Sequence, residues 1–249
     1  MSRAHILGLP VDLINLSQTV EWIEARVNAP FAQTHQVITI NPEIIVRSEE
    51  NPDERRAILE AELVVADGVG VVWAVGQLTE HRLEDRVAGS DLLPALFAHF
   101  GPRLRVFFLG SKPGIAELAA QNVHAKYGVG IAGVHDGYFK DEQPVLEAVR
   151  RAKPDLLLVG MGERQDAFIY RHKHELGAKV AIGVGGMLDV LSGEIKRVPV
   201  WAQRLKIEWL VRVGLDRKRW GRVPRLWKFV QMVQAAKRAG GRSPDAGGR

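Results

Sequence analysis

The chain contains no cysteine. A disulfide scaffold, a thiolate nucleophile and a cysteine-based metal site are therefore excluded. Long apolar runs are missing too. No stretch approaches the roughly 18 apolar residues of a membrane-spanning helix, so the body is expected to be soluble. The N-terminal stretch MSRAHILGLPVDLINLS is interrupted by Asp12 and lacks a following small-residue cleavage site, so it does not read as a secretion signal.

The common phosphate-binding and catalytic fingerprints are absent as well. There is no G-x-G-x-x-G after a strand, no G-x-x-x-x-G-K-[ST] and no G-x-S-x-G. Gly183-Val184-Gly185-Gly186 comes late in the chain and has Leu188 where a third glycine would fall. No D-x-D is present to hold a metal–diphosphate. His172 and His174 are two apart and would not share a helix face. No metal site is expected. The missing glycine fingerprint also argues against a nicotinamide-dependent oxidoreductase.

What is present is ordinary in bulk: 249 residues, 46% hydrophobic and 25% charged, enough for one or two domains with a real core. The charge is unevenly placed. Residues 194–249 hold 15 basic and 4 acidic side chains, a net +11, whereas residues 1–193 hold 19 and 25, a net −6. A mildly acidic body thus carries a strongly basic tail, suited to an anionic surface such as phospholipid, nucleic acid or a pyrophosphate-bearing substrate. Four of the six tryptophans, Trp201, Trp209, Trp220 and Trp227, sit among these basic residues. Ile207–Val213 and Arg225–Ala236 read as short amphipathic helices of an interfacial segment. A helical lid with solvated charges is the plainer reading.

Short apolar runs alternate with helical patterns along the body. Val37–Ile40, Leu63–Ala66, Val106–Leu109, Leu156–Val159 and Val180–Val184 read as strands buried on both faces. Pro113–Tyr127, ending at Gly128, and Glu142–Ala152 read as helices. The alternation predicts an α/β fold, a mainly parallel sheet flanked by helices. The expected organisation is an α/β domain over 1–193, a basic helical appendage over 194–240 and a disordered end over 241–249.

In such sheets ligands bind beyond the carboxyl ends of the strands. Five strand-end loops rich in Gly and small polar residues are found there. They begin at Thr39, Asp67, Gly110, Gly160 and Gly185. Gly110-Ser111-Lys112-Pro113-Gly114 follows a strand and opens a helix, a place where free amides bind phosphate. Asp67 could act as a general base on a hydroxyl, but on the residues alone a helix N-cap for the segment from Val69 onward ranks first. Arg86 suits a diphosphate or a structural ion pair, and Ser90 or Asp91 a helix cap.

These segments, taken in order, resemble a known family. Thr39-x-Asn41-Pro42-Glu43, Ala66-Asp67-Gly68-Val69-Gly70, Arg86-Val87-Ala88-Gly89-Ser90-Asp91, Gly110-Ser111-Lys112-Pro113-Gly114, His135-Asp136-Gly137-Tyr138-Phe139, Lys196-Arg197-Val198-Pro199-x-Trp201 and Glu208-Trp209-Leu210-x-Arg212 resemble the WecG/TagA/CpsF glycosyltransferases from about Thr39 to Arg222.

The resemblance implies a Rossmann-like fold and an inverting hexosyltransferase. Its donor would be a UDP-sugar carrying a hexosamine, N-acetylmannosamine or its uronate, with UDP-glucose or UDP-glucuronate as alternatives. Its acceptor would be a GlcNAc-type sugar on undecaprenyl diphosphate, at the inner face of the cell membrane, in teichoic acid or other surface polysaccharide synthesis. It implies no metal or other cofactor. It implies Asp67 as base, with Thr39, Asn41, Arg86 and Gln165 lining the cleft. Arg212, Arg219 and Arg222 of a membrane-docking tail would hold diphosphate. Gly110, Ser111 and Gly114 are assigned to the nucleotide, with Asp189 and Tyr138 at its ribose or base. Homo-oligomerisation of the body is left open, and no nucleic acid is implied. The rival from another class is a non-catalytic basic adaptor on anionic lipid or nucleic acid. One motif departs from the family: Glu163-Arg164-Gln165-Asp166 stands where Pro-Lys-Gln-Glu is usual.

Overall fold

The computed structural model describes residues 1–195 and 223–240. The five apolar runs become parallel strands, Leu63–Ala66 with the bounds read and the others with ends shifted by one or two residues: His35–Ile40 (β3), Leu63–Ala66 (β4), Arg105–Gly110 (β5), Leu156–Gly160 (β7) and Val180–Gly183 (β8). A sixth, Gly130–His135 (β6), completes the sheet in the order β4-β3-β8-β7-β5-β6, every pairing parallel. An antiparallel hairpin, Arg3–Ile6 (β1) and Leu9–Asp12 (β2), lies against β4. The hairpin turns through Leu7 and Gly8, both at positive φ (52° and 73°), the two-residue geometry that matches strand twist.

Asp12, read from sequence as an interruption, is buried at 1% exposure. It accepts two bonds from Arg3 at 2.7 and 2.8 Å and one from the Val64 amide at 2.8 Å. The charge is compensated rather than solvated, and it joins the hairpin to the sheet edge.

Helices cover both faces because the strands alternate two apolar surfaces. Val37, Val65, Phe108, Leu158 and Ile182 point to one face, packed by Leu16–Asn28 (α1), Gly89–Phe100 (α5), Ile115–Tyr127 (α6) and Met187–Leu191 (α9). Ile38, Val64, Leu109, Val159 and Ala181 point to the other. There lie Pro42–Ser48 (α2), Pro52–Leu59 (α3), Val69–Leu78 (α4), Gln143–Ala152 (α7) and Gln165–His172 (α8).

Two Asn-Pro pairs start α2 and α3 in the same way. Asn41 Oδ1 accepts the Glu43 and Ile44 amides at 3.0 Å, and Asn51 Oδ1 those of Asp53 and Glu54 at 3.2 Å. Proline fills the first turn, where its missing N–H costs nothing. The expected helix over Pro113–Tyr127 begins two residues later, because Gly114 takes a left-handed conformation at its N-cap; Gly128 ends it as read.

After residue 195 the described chain resumes at Val223–Arg238 (α10), which contains the expected helix 225–236. It packs on α2 and α4. Phe229 and Val233, one turn apart, are buried at 2% and 1% exposure in the second core. The segments 207–213 and 241–249 lie outside the described residues. Among the described residues no helix is long and apolar enough to cross a membrane.

Candidate active site

The strand order creates the cleft. From β5 the chain runs outward to β6, and from β7 it runs inward to β8, so the loops leaving these two neighbours diverge. That divergence is a topological switch point, where α/β sheets bind ligands. At the tip of the pair Gly110 (φ 137°) lies so close to β7 that a Cβ would overlap the Gly160 carbonyl. Only glycine fits. The Ser111 amide donates to that carbonyl at 2.9 Å, and the Ser111 carbonyl accepts from the Gly137 amide at 2.8 Å.

Ser111 itself has φ 58°, an uncommon backbone for a residue with a side chain. This orientation lets its hydroxyl donate to Asp189 Oδ1 at 2.7 Å across the crevice. No side chain caps α6, whose first turn opens after Gly114 (φ 85°). Its amides and dipole face the crevice mouth and suit an anion.

The crevice has two further walls. Asp136 Oδ1 accepts the Tyr138 amide at 2.7 Å and leaves the Tyr138 side chain 72% exposed at the end of β6. Opposite, the turn Gly162–Arg164 leads into α8. Arg164 donates to the Gly137 carbonyl at 3.5 Å, closing the rim. Gln165 is buried, and its Oε1 accepts the Gly185 amide at 2.8 Å, which ties the α8 start to the loop after β8.

A second group gathers at the ends of β3 and β4. The strand register sets Thr39 opposite Val65 and Ile40 opposite Ala66, so Asn41 and Asp67 follow side by side. The Asp67 amide donates to the Ile40 carbonyl at 2.7 Å, and the Val87 amide to the Ala66 carbonyl at 2.8 Å. The latter bond draws the Arg86 loop against β4. Arg86 and Asp91 stand 3.9 Å apart. The start of α5 sits over Thr39: a Cβ added at Gly89 would lie 3.9 Å from its hydroxyl.

The N-cap of α4 is Gly68 (φ 92°), not Asp67. Ser90 and Asp91 fall inside the first turn of α5 rather than at its cap, which is Ala88. Asn41 has its oxygen engaged as the α2 cap, leaving its amide nitrogen for the cleft. Gly70 packs where a Cβ would meet the Pro42 ring at 2.7 Å, bringing the α4 and α2 N-termini together beside Asp67.

Thr39, Asn41, Asp67 and Arg86 thus form one cluster. Gly110, Ser111, Gly114, Tyr138, Gln165 and Asp189 form another. Both lie at the carboxyl ends of adjacent strands, two to three strand spacings apart, about 10–15 Å. Arg212, Arg219 and Arg222 lie outside the described residues. Among the described residues no group of three or more Asp, Glu and His is placed to hold a metal ion.

Sequence reasoning passed over Asp166. It is buried at 2% exposure, with Oδ1 lacking a hydrogen-bond partner. Burial, then the nearby Glu54 carboxylate, pushes its carboxyl up to about 7; Arg47 and the Gln165 amide act in the opposite direction. The folded chain therefore keeps a proton that the unfolded chain releases near pH 4. Stability falls as pH rises through this window, and the full cost applies above pH 7. Asp166→Asn should remove that cost. Its advantage over the wild type is expected to grow by roughly 2 kcal/mol between pH 5 and pH 8, read as a widening gap in melting temperature. A gap independent of pH would show that Asp166 ionises normally.

Comparison with known proteins follows this geometry along the whole chain. Residues 4–243 match the family described as Glycosyl transferase WecG/TagA/CpsF family. The chain is 34% identical over 237 residues, 94% of its length and 91% of the relative's, to an N-acetylglucosaminyldiphosphoundecaprenol N-acetyl-beta-D-mannosaminyltransferase of Bacillus subtilis (strain 168). It is 32% identical over 241 residues, covering 95% and 94%, to a protein of the same name from Staphylococcus aureus (strain MRSA252). With its motif-bearing segments at the strand ends of a parallel sheet, the chain belongs to the WecG/TagA/CpsF family of glycosyl transferases.

Proposed function

We propose that the protein transfers N-acetylmannosamine from its UDP derivative to the GlcNAc of a GlcNAc-diphosphoundecaprenol acceptor, with inversion. The observation that carries this reading is the pair of polar clusters along one row of strand ends. Their spacing suits a sugar nucleotide lying across β5, β7, β8 and β3. The names of the relatives supply the sugar and the acceptor.

In this reading the nucleotide occupies the switch-point crevice. Ser111 and Asp189 border its ribose, Tyr138 its base, and the α6 amides its diphosphate. The sugar extends towards Thr39 and Asn41. Asp67 takes the proton of the acceptor hydroxyl as that oxygen bonds to the anomeric carbon. The bond from the anomeric carbon to the diphosphate oxygen breaks, and UDP leaves carrying the electron pair. Arg86 and the α6 dipole stabilise the charge that develops on it. Gln165 fixes the β8 loop beneath the donor. Arg212, Arg219 and Arg222 complete the diphosphate site, and the basic segment rests on the inner membrane face where the lipid acceptor resides.

UDP release is the test, measured over UDP-ManNAc, UDP-GlcNAc, UDP-glucose and UDP-glucuronate with and without a short-chain prenyl-diphosphate-GlcNAc. Release that requires the acceptor and is fastest with UDP-ManNAc is expected. Equal release without acceptor would replace the transferase reading by hydrolysis. A preference for UDP-glucose or UDP-glucuronate would overturn the sugar assignment.

A further inference from the structure

A line of alternating charges runs from α10 to the cleft wall. Glu163 lies in the turn between β7 and Gln165, and its carboxylate meets Arg225 of α10 at 2.9 Å and Arg47 of α2 at 3.6 Å. Arg225 also reaches Glu43, in the first turn of α2, at 3.1 Å. Arg47 in turn holds the fully buried carboxylate of Glu54 on α3 through both oxygens. Arg225 first, then Arg47, keeps the Glu163 carboxyl below its ordinary range.

An isolated exposed pair contributes little, and Glu163 is 56% exposed. Two features set this one apart. Arg47 is anchored on a buried partner, and α10 is seated by Phe229 and Val233, so neither cation has to be ordered by Glu163 alone. Glu163 also directly precedes Arg164, which reaches the Gly137 carbonyl, and Gln165, which holds the Gly185 amide, so the contact bears on the cleft rim.

We propose that Glu163 is a positioning residue: it clasps the turn leading into Gln165 to the C-terminal helix, so that seating of α10 and donor binding in the cleft reinforce each other. By linkage the coupling is reciprocal, and each event favours the other by the same factor. The kinetic half of this inference rests on the transferase reading; the helix-seating half does not.

The test is a double-mutant cycle of Glu163→Gln and Arg225→Gln, with Arg225→Lys as the charge-conserving control. Each single change is expected to raise the donor KM three- to tenfold with kcat within twofold. The double variant should be no worse than the worse single variant, and Arg225→Lys should stay within twofold of wild type. In hydrogen exchange without ligand, the α10 amides should exchange several-fold faster in both single variants. Added UDP should slow that exchange in the wild type and not in Glu163→Gln.

Effects on KM that multiply in the double variant, or UDP protection of α10 undiminished in Glu163→Gln, would overturn the coupling. Should calorimetry show that the wild type binds no UDP, the donor reading fails. The clasp is then judged on the ligand-free exchange cycle alone, and unchanged α10 exchange in both single variants overturns it.

Discussion

Asp67→Asn is expected to lower kcat for acceptor-dependent UDP release by about 10³-fold, within the range a positioned general base contributes, while UDP affinity changes less than about threefold. The argument starts from the strand end. Asp67 follows β4, half-buried, level with Asn41, and the Arg86 loop is drawn to the same strand by the Val87–Ala66 bond. The carboxylate therefore stands at one end of the cleft, while the groups suited to UDP stand at the other. Loss of the base should affect chemistry and spare nucleotide binding. Asparagine is the informative substitution because it keeps the shape of aspartate and a hydrogen-bonding oxygen while removing the basic carboxylate. If Asp67 served only local structure, Asp67→Asn would melt and turn over like the wild type. A loss of less than tenfold, with the melting temperature unchanged, would remove Asp67 from the role of base.

Much of this arrangement is legible in the sequence, and the illegible parts have identifiable causes. Leu63–Ala66 and Leu156–Gly160 are buried on both faces, and an uninterrupted apolar run is what such burial requires. β6 escapes the same reading because it is the sheet edge. Its sequence, GIAGVH, is half-exposed and holds two glycines, one of which lies where a Cβ would collide with the Phe107 ring. The hairpin escapes because Leu-Gly is not a typical turn pair.

In the site, the strand-end residues were readable from the rule that parallel sheets bind at their carboxyl ends. The switch point was not, since it depends on strand order: Gly110 meets Gly160 across fifty residues of chain. Long-range charge was equally hidden. Sequence reads the basic tail as a surface for an anionic partner. On α10, however, Arg225 is engaged with Glu43 and Glu163, Lys228 with Glu50, and Lys237 with Gln77. These cations already have partners on the body, which lessens what α10 can offer a membrane, while Phe229 and Val233 seat the helix. The departure at Glu163 reads as a loop change in sequence, and only the fold shows the arginines it faces.

Phe229→Ala carries the second large effect, a loss of roughly 3–5 kcal/mol of stability, the usual range for emptying an aromatic site in a packed core. For a domain of this size that corresponds to a fall of about 10 °C in melting temperature. The ring is 2% exposed, meets Trp73 edge-on at 6.5 Å between centroids and lies against Gly70, at the start of the helix that follows Asp67. Because α4 and α2 both begin at the cleft, the cavity would also loosen the Asp67 and Asn41 ends, and activity should fall before the chain unfolds. Trp227, two residues earlier and 66% exposed, is the control. Trp227→Ala should change stability by less than about 0.5 kcal/mol, so any loss of turnover on lipid acceptor in that variant reports on what the exposed ring touches. This pair separates two roles that truncation after Gly193 would merge, because truncation removes Trp227 and also uncovers the apolar surface of α2 and α4 that Phe229 and Val233 cover. Should Phe229→Ala melt with the wild type, α10 is not seated on the body in solution, and the tail acts from a distance rather than as part of the fold.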